Sequence, residues 1–262
     1  MTTLDTAPLP LSAPVNLRDL GGTVVAGGAV RPGVVLRADD LSTTDRPFAD
    51  ELVGAGLRAV VDLRSPDEVA LTGRGVLGER SEISYHHVPF LADIGRAAGD
   101  ADPATMLDQS RFGAMYLRMY EGAAAQVVTA LAIVAHSPGT VAFHCAAGQD
   151  RTGVLAAALL LTLGADAEAI VADYARTGES SAAIQRRLAP VMAPLMARFG
   201  LDLDAAARAA ARTRFSETPM RELLAALAER HGDPLAPLRA AGLTDGLVAR
   251  LRERALAPSG TA

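Results

Sequence analysis

The sequence predicts an α/β fold in which helices flank a central, largely parallel sheet, followed by a helical lid and a helical C-terminus. Short apolar segments alternate with longer helix-forming segments as far as Leu163, which is typical of parallel strands joined by helical crossovers. Beyond that point the pattern is wholly helical. The segment HCAAGQDRTG, residues 144–153, lies where an apolar strand ends and an apolar helix begins.

Individual elements follow from composition and from capping residues. Residues 1–14 are rich in Pro and Thr, so we expect a flexible tail before a single domain of residues 15–262. An amphipathic helical pair at 179–214 has too few strong apolar residues for a core of its own and is expected to form a lid over that domain. Strands are expected at residues 23–25, 34–37, 58–63, 85–88 and 140–143. Helices are expected at 44–54, from 66, at 103–135 with a break near 122, and at 154–161, 166–178, 180–199, 203–214, 216–230, 234–241 and 244–256.

Composition excludes several classes of protein. The formal net charge of −5 gives no basic surface suited to nucleic acid, and all basic residues are arginines. The single cysteine excludes an internal disulfide and favours a reducing compartment or a reactive thiol. No cationic segment precedes an apolar run at the N-terminus, and the longest apolar run, residues 154–163, is too short to cross a bilayer. We therefore expect a cytoplasmic protein without stable membrane insertion; secretion by a signal-less route and the oligomeric state stay open.

The segment that follows the strand at 140–143 has the features of an oxyanion site. A strand, a glycine-bearing loop and a helix N-terminus bring backbone N–H groups and the positive end of the helix dipole together. Cys145 opens this loop, so its thiolate is expected to lie beneath the bound anion, ready to attack phosphorus. Arg151, six positions later, can hold two phosphate oxygens in a bidentate contact. The predicted substrate-binding residues are Ala146, Ala147, Gly148, Gln149, Thr152 and Gly153, together with Asp62 and Arg64 at a neighbouring strand end.

Two further residues of this segment have expected supporting roles. The hydroxyl of Thr152 is placed to hydrogen-bond the thiolate and to assist its departure in a second step. His144 is expected to orient the loop and not to transfer protons. His86 and His87 are adjacent on a predicted strand, face opposite sides and lack metal-ligand spacing, so we interpret them as structural. We expect no metal and no cofactor.

Two aspartates compete for the role of general acid. Asp150 lies within the loop and can reach a leaving oxygen without a separate lid, so it is preferred. Asp93, on a polar segment after a strand, is the alternative. The chain has no tryptophan, which excludes a Trp-Pro-Asp loop.

Other functions remain open for a lone cysteine in this setting. It could be a small buried hydrophobe, the usual role of a single cysteine. A rhodanese-type sulfurtransferase also uses a loop cysteine, although its loop does not require arginine followed by Thr-Gly. A phosphoprotein-binding module without catalysis would have lost the cysteine or the arginine, and both Cys145 and Arg151 are present.

The motif resembles a known family. Cys-x5-Arg is the signature of tyrosine phosphatases, and HCAAGQDRTG is similar to the loop HCxxGKDRTG of the bacterial family that includes PtpB-like enzymes and atypical lipid phosphatases. Residues 16–22, NLRDLGG, resemble the family's NxRDLGG. Residues 36–39 resemble its next conserved segment, and residues 61–68 resemble DLRxxxE. Residues 170–174 and the helical C-terminus are also similar, so the resemblance covers nearly the whole chain.

The resemblance implies a metal-independent phosphate monoester hydrolase, with Cys145 as nucleophile, Arg151 as phosphate ligand and Asp150 as acid. It also implies a phosphotyrosine protein or a small phosphoester as the substrate, and a helical lid after the loop. Gln149 stands where the family commonly has lysine, a residue associated with phosphoinositide-type substrates. This departure favours phosphotyrosine over a phosphoinositide or broad dual-specificity substrate.

Overall fold

The computed structural model of the chain describes residues 10–90, 112–198 and 215–257, with only the backbone course for 192–198. Asp93, the predicted loop at 91–105 and the predicted helix at 203–214 lie outside the described residues. Within them, seven strands and ten helices follow one another, with short 3-10 turns at Leu41–Thr43 and Val76–Glu79. The predicted α/β class is confirmed.

The main sheet has five strands in the order β1-β4-β7-β5-β6. All neighbouring pairs are parallel except β1 with β4, which is antiparallel. A separate hairpin is formed by β2 and β3. The strands are β1 (Arg18–Asp19), β2 (Val24–Val25), β3 (Gly28–Ala29), β4 (Val35–Ala38), β5 (Leu57–Asp62), β6 (Ser84–His87) and β7 (Thr140–His144).

Helices cover both faces of this sheet and are the regular elements of the described chain after β7. The described helices are α1 (Arg46–Gly54), α2 (Pro66–Thr72), α3 (Phe112–Gly122), α4 (Ala124–His136), α5 (Asp150–Leu163), α6 (Ala167–Ala175), α7 (Thr177–Arg198), α8 (Thr218–His231), α9 (Ala236–Ala240) and α10 (Asp245–Ala255). None of them is by itself long and apolar enough to cross a membrane. Only α3 and α4 together reach that length, across a bend of 72°.

The central strand β7 is buried along all five residues because apolar clusters lie on both of its faces. One cluster joins the side chains Val141 and Phe143 to α3, α4, α5, α8 and α10. The other joins Ala142 to α1 and to the neighbouring strands. Burial on both faces explains why this strand is a continuous apolar run in the sequence and not an alternating one.

The structure moves several predicted boundaries. The helix predicted to start at Thr44 begins at Arg46, and Asp45 is its N-cap, because the Asp45 carboxylate accepts a hydrogen bond from Phe48 N at 2.9 Å. The short β1 was not predicted, and the strand predicted at 23–25 pairs with β3 in the hairpin, outside the main sheet. Of the predicted tail, Ser12 is tied to the domain, since its N–H donates to Thr43 O at 3.0 Å.

The carboxyl ends of β4, β5 and β7 lie side by side. In the parallel register Ala38 pairs with His144, and Asp62 pairs with His144 from the other side. Residues that follow these three strands therefore converge on one edge, where parallel sheets bind ligands. The segment 144–153 begins at the centre of this edge.

Candidate active site

The anion loop, residues 145–151, turns the chain from β7 into α5. Gly148 sits at its tightest point with φ of +69°, in the left-handed region that favours glycine. A Cβ atom there would lie 2.5 Å from Ala38 O and 2.6 Å from Asp39 N. Only glycine lets the loop pass this close to the end of β4.

Cys145 lies at the foot of the loop with its residue 1% exposed. Thr152, in the first turn of α5, donates a hydrogen bond from Oγ1 to Cys145 Sγ at 3.2 Å. The contact expected from the sequence is therefore present. The positive end of the α5 dipole also favours negative charge at this sulfur.

Arg151 is held in a fixed plane by Glu68 of α2. Both carboxylate oxygens face the guanidinium: Oε1 accepts from Nη2 at 2.8 Å and Oε2 accepts from Nη1. Burial opposes the charge on Arg151, but Cys145 and Glu68 outweigh it, so the pKa of Arg151 lies above its ordinary value. Burial likewise raises the pKa of Glu68, and the Arg151 guanidinium more than offsets this, so that pKa is lowered.

Glu68 is itself anchored by the capping box that starts α2. Its Oε2 accepts from Ser65 N at 2.7 Å, and Ser65 Oγ accepts from Glu68 N at 3.3 Å. This reciprocal pair fixes the first helical turn and with it the carboxylate. The capping box at the start of α2 thus also positions Glu68, the partner of Arg151.

Asp150, the first residue of α5, is buried beside two tyrosines. Tyr116 of α3 donates its hydroxyl to Asp150 Oδ1 at 2.5 Å, and the Tyr174 hydroxyl lies 2.8 Å from that of Tyr116. Burial raises the pKa of Asp150, while the Tyr116 hydrogen bond and the charge of Arg151 oppose part of the rise. The carboxyl group therefore keeps its proton to a higher pH than an exposed aspartate, as a general acid requires.

Two side chains from the N-terminal region bind the outer carbonyls of the loop. Asn16 Nδ2 donates to Ala147 O and to Gly148 O, each at 3.2 Å, and Arg37 Nη2 donates to Gly148 O at 2.8 Å. A peptide unit whose C=O points outward turns its N–H the opposite way, towards the inside of the loop. These contacts therefore help to orient the amides that we expect to bind the anion.

We call the contacts of Asn16 and Arg37 with the loop carbonyls the outer tether. Arg37 shares one carboxylate with a second arginine, Arg18. Asp173 of α6 accepts from Arg18 Nε at 2.9 Å and also from Arg37 Nη1. All three side chains are almost fully buried. Burial and the neighbouring Arg37 lower the pKa of Arg18 to about 10, although Asp173 opposes this. These ion pairs connect β1, β4 and α6. Removing any one of the three side chains would leave a buried charge without its partner, which is strongly destabilising.

His144, Asp62 and Arg64 are buried at or just after the carboxyl ends of β7 and β5, next to the start of the anion loop. His144 is fully buried, its Nδ1 accepts from Leu41 N at 3.3 Å, and burial lowers its pKa. The role in orienting the loop that we expected for His144 from the sequence stays a prediction. Among the residues that the structure describes, His144 Nε2 has no hydrogen-bond partner; it lies 3.7 Å from Asp62 Oδ1.

Arg64 is saturated by protein acceptors. Its guanidinium is paired with Asp62 at 2.6 Å and Asp40 at 3.3 Å, and it also donates to Ser42 Oγ, Thr72 Oγ1 and Gly73 O. Asp62 and Arg64 are 0% and 1% exposed. We predicted that they bind substrate, but this arrangement favours a bracing role, because their polar atoms already face each other and the protein.

The N-terminal half of α7 lies against the loop. Arg187 on this helix pairs with Asp39 Oδ2 at 2.7 Å and donates to Ser12 O at 3.1 Å. Two narrow spaces between α7 and the loop are lined by Ala146 and Val191, among other residues. The first of the two predicted lid helices is therefore placed over the loop; the second lies outside the described residues.

Several of these residues were not assigned a role from the sequence. Asn16, Arg37 and Glu68 stand in the segments that resemble the family, which was the available signal. Asp173 also stands in such a segment, residues 170–174. Tyr116 and Arg187 carried no such signal, because each reaches the region of the loop from a distant helix. Among the described residues, no three His, Cys, Asp or Glu side chains are grouped so that they could hold a metal ion.

Comparison with known proteins agrees with this geometry. A model of the tyrosine phosphatase family matches residues 9–257. The chain is 30% identical to the triple specificity protein phosphatase PtpB of Mycobacterium tuberculosis, across 90% of this chain and 95% of that protein. It is 32% identical to a putative tyrosine-protein phosphatase of Cupriavidus necator, across 74% of this chain and 75% of the relative. A tyrosine-protein phosphatase of Nostoc commune is 28% identical across 56% of this chain and 49% of its own length. With Cys145, Arg151 and Asp150 gathered in one loop and the family match spanning nearly its whole length, the chain belongs to the tyrosine phosphatase family and is a phosphatase.

Proposed function

We propose that this enzyme hydrolyses phosphotyrosine through a cysteinyl-phosphate intermediate. In the first step Cys145 Sγ attacks phosphorus; the S–P bond forms, the P–O ester bond breaks and Asp150 gives its proton to the leaving phenolate oxygen. In the second step water attacks phosphorus and passes a proton to the Asp150 carboxylate. The S–P bond then breaks and the thiolate returns.

One observation supports this mechanism above the others. The Thr152 hydroxyl donates to Cys145 Sγ at 3.2 Å at the N-terminus of α5. A cysteine that serves only as a buried hydrophobe needs no hydroxyl aimed at its sulfur. A donor in this place stabilises a thiolate both before attack and as a leaving group. The same hydrogen bond argues against the alternative of a phosphoprotein-binding module without catalytic activity.

Arg151 and the loop amides would stabilise the charge that spreads over the transferring phosphoryl group. Glu68 holds the guanidinium plane, and Asn16 and Arg37 hold the loop carbonyls outward. Such preorganised donors cost no reorganisation during the reaction. The catalytic residues of the proposal are therefore Cys145, Arg151 and Asp150.

For the substrate we favour phosphotyrosine over phosphoinositides. Gln149 supplies no positive charge at the loop position where a lysine would favour a multiply phosphorylated ligand. The Mycobacterium tuberculosis relative is named a triple specificity protein phosphatase, so a wider substrate range is the second candidate.

We propose in addition that residues 179–214 act as a helical lid. The supporting contacts are those of α7: Ile184 and Val191 are buried, and Arg187 is paired with Asp39 beside the loop. Movement of α7 would then control access to Cys145.

The central test compares the wild type with Cys145→Ser on a panel of phosphotyrosine peptides, phosphoserine peptides and phosphoinositides. We expect hydrolysis of phosphotyrosine peptides by the wild type, and loss of turnover in Cys145→Ser with phosphate binding retained, because a serine hydroxyl is not ionised near neutral pH. Acid quenching with radiolabelled substrate should trap a phosphoenzyme only when Cys145 is present. Residual turnover within about tenfold of the wild type would contradict a covalent mechanism that depends on an activated nucleophile.

The general acid is tested with two leaving groups. Phenyl phosphate needs protonation of its leaving oxygen, whereas a strongly activated nitrophenyl phosphate hardly does. Asp150→Asn should therefore slow the first by about 10²-fold and the second little. Asp93→Asn is the matched comparison and should leave both rates almost unchanged; the reverse pattern would assign the acid to Asp93.

A further inference from the structure

We propose that Tyr116 is a positioning residue for the general acid and that Tyr174 supports it through a directed chain of hydroxyl groups. This inference rests on the proposed role of Asp150. It adds two residues from distant helices to the machinery of the first chemical step.

The direction of the chain follows from counting protons. A tyrosine hydroxyl has one hydrogen to donate. Tyr116 gives it to Asp150 Oδ1 at 2.5 Å, so the contact of 2.8 Å between the two hydroxyl groups must be a donation from Tyr174 to Tyr116. Each donation polarises the next, which makes Tyr116 a stronger donor than it would be alone.

Close packing around Tyr116 and Tyr174 holds their hydroxyl groups in this hydrogen-bonded arrangement. Tyr116 is 0% exposed and Tyr174 is 1% exposed, and their rings meet edge to face with centroids 6.1 Å apart. Phe215 packs against Tyr174 from the other side, with centroids 5.2 Å apart. Burial, together with the Asp150 charge, raises the pKa of Tyr116 well above its ordinary value. Tyr116 therefore remains a donor throughout the working pH range.

The Tyr174–Tyr116–Asp150 hydrogen bonds also determine which oxygen of the Asp150 carboxyl group holds the acidic proton. Oδ1 accepts from Tyr116, so in the acid form the proton lies on Oδ2. When the P–O bond breaks, this proton passes from Oδ2 to the leaving oxygen, and the carboxylate that results keeps the Tyr116 hydrogen bond. That bond is stronger to the charged form, so it favours release of the proton at the moment it is needed.

The test uses Tyr116→Phe, which keeps the ring and removes the hydroxyl. Without the donor, the carboxylate is less stable and Asp150 holds its proton to a higher pH. The basic limb of the kcat/KM profile on phenyl phosphate should move up by about one pH unit, and the rate at the optimum should fall about tenfold. The rate on the activated nitrophenyl phosphate and the KM for both substrates should stay near the wild-type values.

Tyr120→Phe is the matched control. Tyr120 lies one turn further along α3, is fully buried and donates its hydroxyl to Pro234 O at 3.0 Å. Its loss should reduce thermal stability without moving the pH limb. Tyr174→Phe, which leaves the Tyr116 contact intact, should move the limb in the same direction by a smaller amount, and it keeps the proposal testable if Tyr116→Phe does not fold.

The outcomes separate this inference from the proposed function. If Asp150→Asn removes the basic limb while Tyr116→Phe and Tyr174→Phe leave it in place, the positioning role is wrong and Asp150 remains the acid. If Asp150→Asn also leaves the limb unchanged, the acid assignment itself fails. If the basic limb of the kcat/KM profile moves in Tyr116→Phe and not in Tyr120→Phe, the proposed hydrogen-bond chain from Tyr174 through Tyr116 to Asp150 is supported.

Discussion

Glu68 faces Arg151 with both carboxylate oxygens and so holds the guanidinium from one edge. A guanidinium has five N–H donors, and this pair uses one on Nη1 and one on Nη2. The Nε–H group and one N–H on each Nη are left for other acceptors. The carboxylate thus fixes the plane of Arg151 without consuming the donors that a phosphate requires.

Replacing Glu68 by Gln should therefore weaken catalysis without removing Arg151. The amide keeps one acceptor, but its NH2 group faces a guanidinium and the charge of the pair is lost. We expect kcat/KM on aryl phosphates to fall about 10- to 100-fold, because hydrogen bonds between charged groups are worth about 1.5–3 kcal/mol. Asp67→Asn, in the same helical turn but without an ion pair to Arg151, should remain within about twofold; equal losses in both variants would argue for a helix effect.

Gly148 should be irreplaceable for steric reasons. Gly148→Ala places a Cβ 2.5 Å from Ala38 O at a φ of +69°, so the loop must move and activity should be lost. Gly33→Ala is the control, because Gly33 also has positive φ, +75°, and no atom of the described part of the chain lies within 4 Å of an added Cβ. It should cost about 1–2 kcal/mol of unfolding free energy and leave kcat unchanged. Similar kcat values for Gly148→Ala and the wild type would show that the close approach is not required.

The loop itself could be predicted from the sequence because its parts are adjacent along the chain. β7, Cys145, Gly148, Arg151 and α5 follow one another, so spacing alone gives their geometry. The starts of the helices near residues 66, 166 and 244 were predicted for the same reason, since the N-caps that fix them, Ser65, Asp166 and Thr244, depend on residues two or three positions away. Thr44 and Asp45 are both suitable caps, and only the backbone geometry distinguishes them.

The supporting residues could not be predicted because they depend on topology. Glu68 is 83 residues from Arg151 in the chain, Tyr116 is 34 from Asp150, and Asn16 is 132 from Gly148. The strand order β1-β4-β7-β5-β6 brings them together, and alternation of strands and helices does not determine that order. For the same reason the sequence did not show that Asp62 and Arg64 are paired with each other and buried.

Asn16 provides a test of how far the outer tether matters. Asn16→Asp keeps the shape and the acceptor for Arg18 Nη1 but cannot donate to Ala147 O and Gly148 O. It also sets a carboxylate against two carbonyl oxygens. We expect weaker inhibition by phosphate and vanadate, and a fall in kcat/KM of about 10-fold or more, since a buried acceptor loses its partner.

The matched control for this tether is Asp19→Asn. Asp19, the last residue of β1, lies three residues on and accepts from Gly21 N at 2.7 Å and Gly33 N at 2.6 Å. This change should lower stability without changing inhibition by vanadate. Unchanged vanadate inhibition in Asn16→Asp would contradict the claim that the tether orients the amides.

Thr152 gives the sharpest kinetic signature. Thr152→Val keeps the shape and removes the hydrogen bond to Cys145 Sγ. In the first step the lost bond leaves a less stable but more nucleophilic thiolate, so the two effects partly cancel. In the second step the thiolate is the leaving group, so the lost hydrogen bond only destabilises it and no gain in nucleophilicity compensates. Breakdown of the intermediate should slow about tenfold or more, as expected for a hydrogen bond to a charged group.

Rapid-quench kinetics with nitrophenyl phosphate distinguish the two steps. Thr152→Val should release about one equivalent of nitrophenol per active site in a burst and then turn over slowly, because phosphoenzyme accumulates. Thr152→Ser restores the hydroxyl and should remove the burst. Thr162→Val deletes another buried hydroxyl of α5, one that donates to Ala158 O at 2.7 Å, and should show no burst. Slower turnover of Thr152→Val without a burst would mean that the hydroxyl acts before the intermediate forms, and its assigned role in thiolate departure would then be wrong.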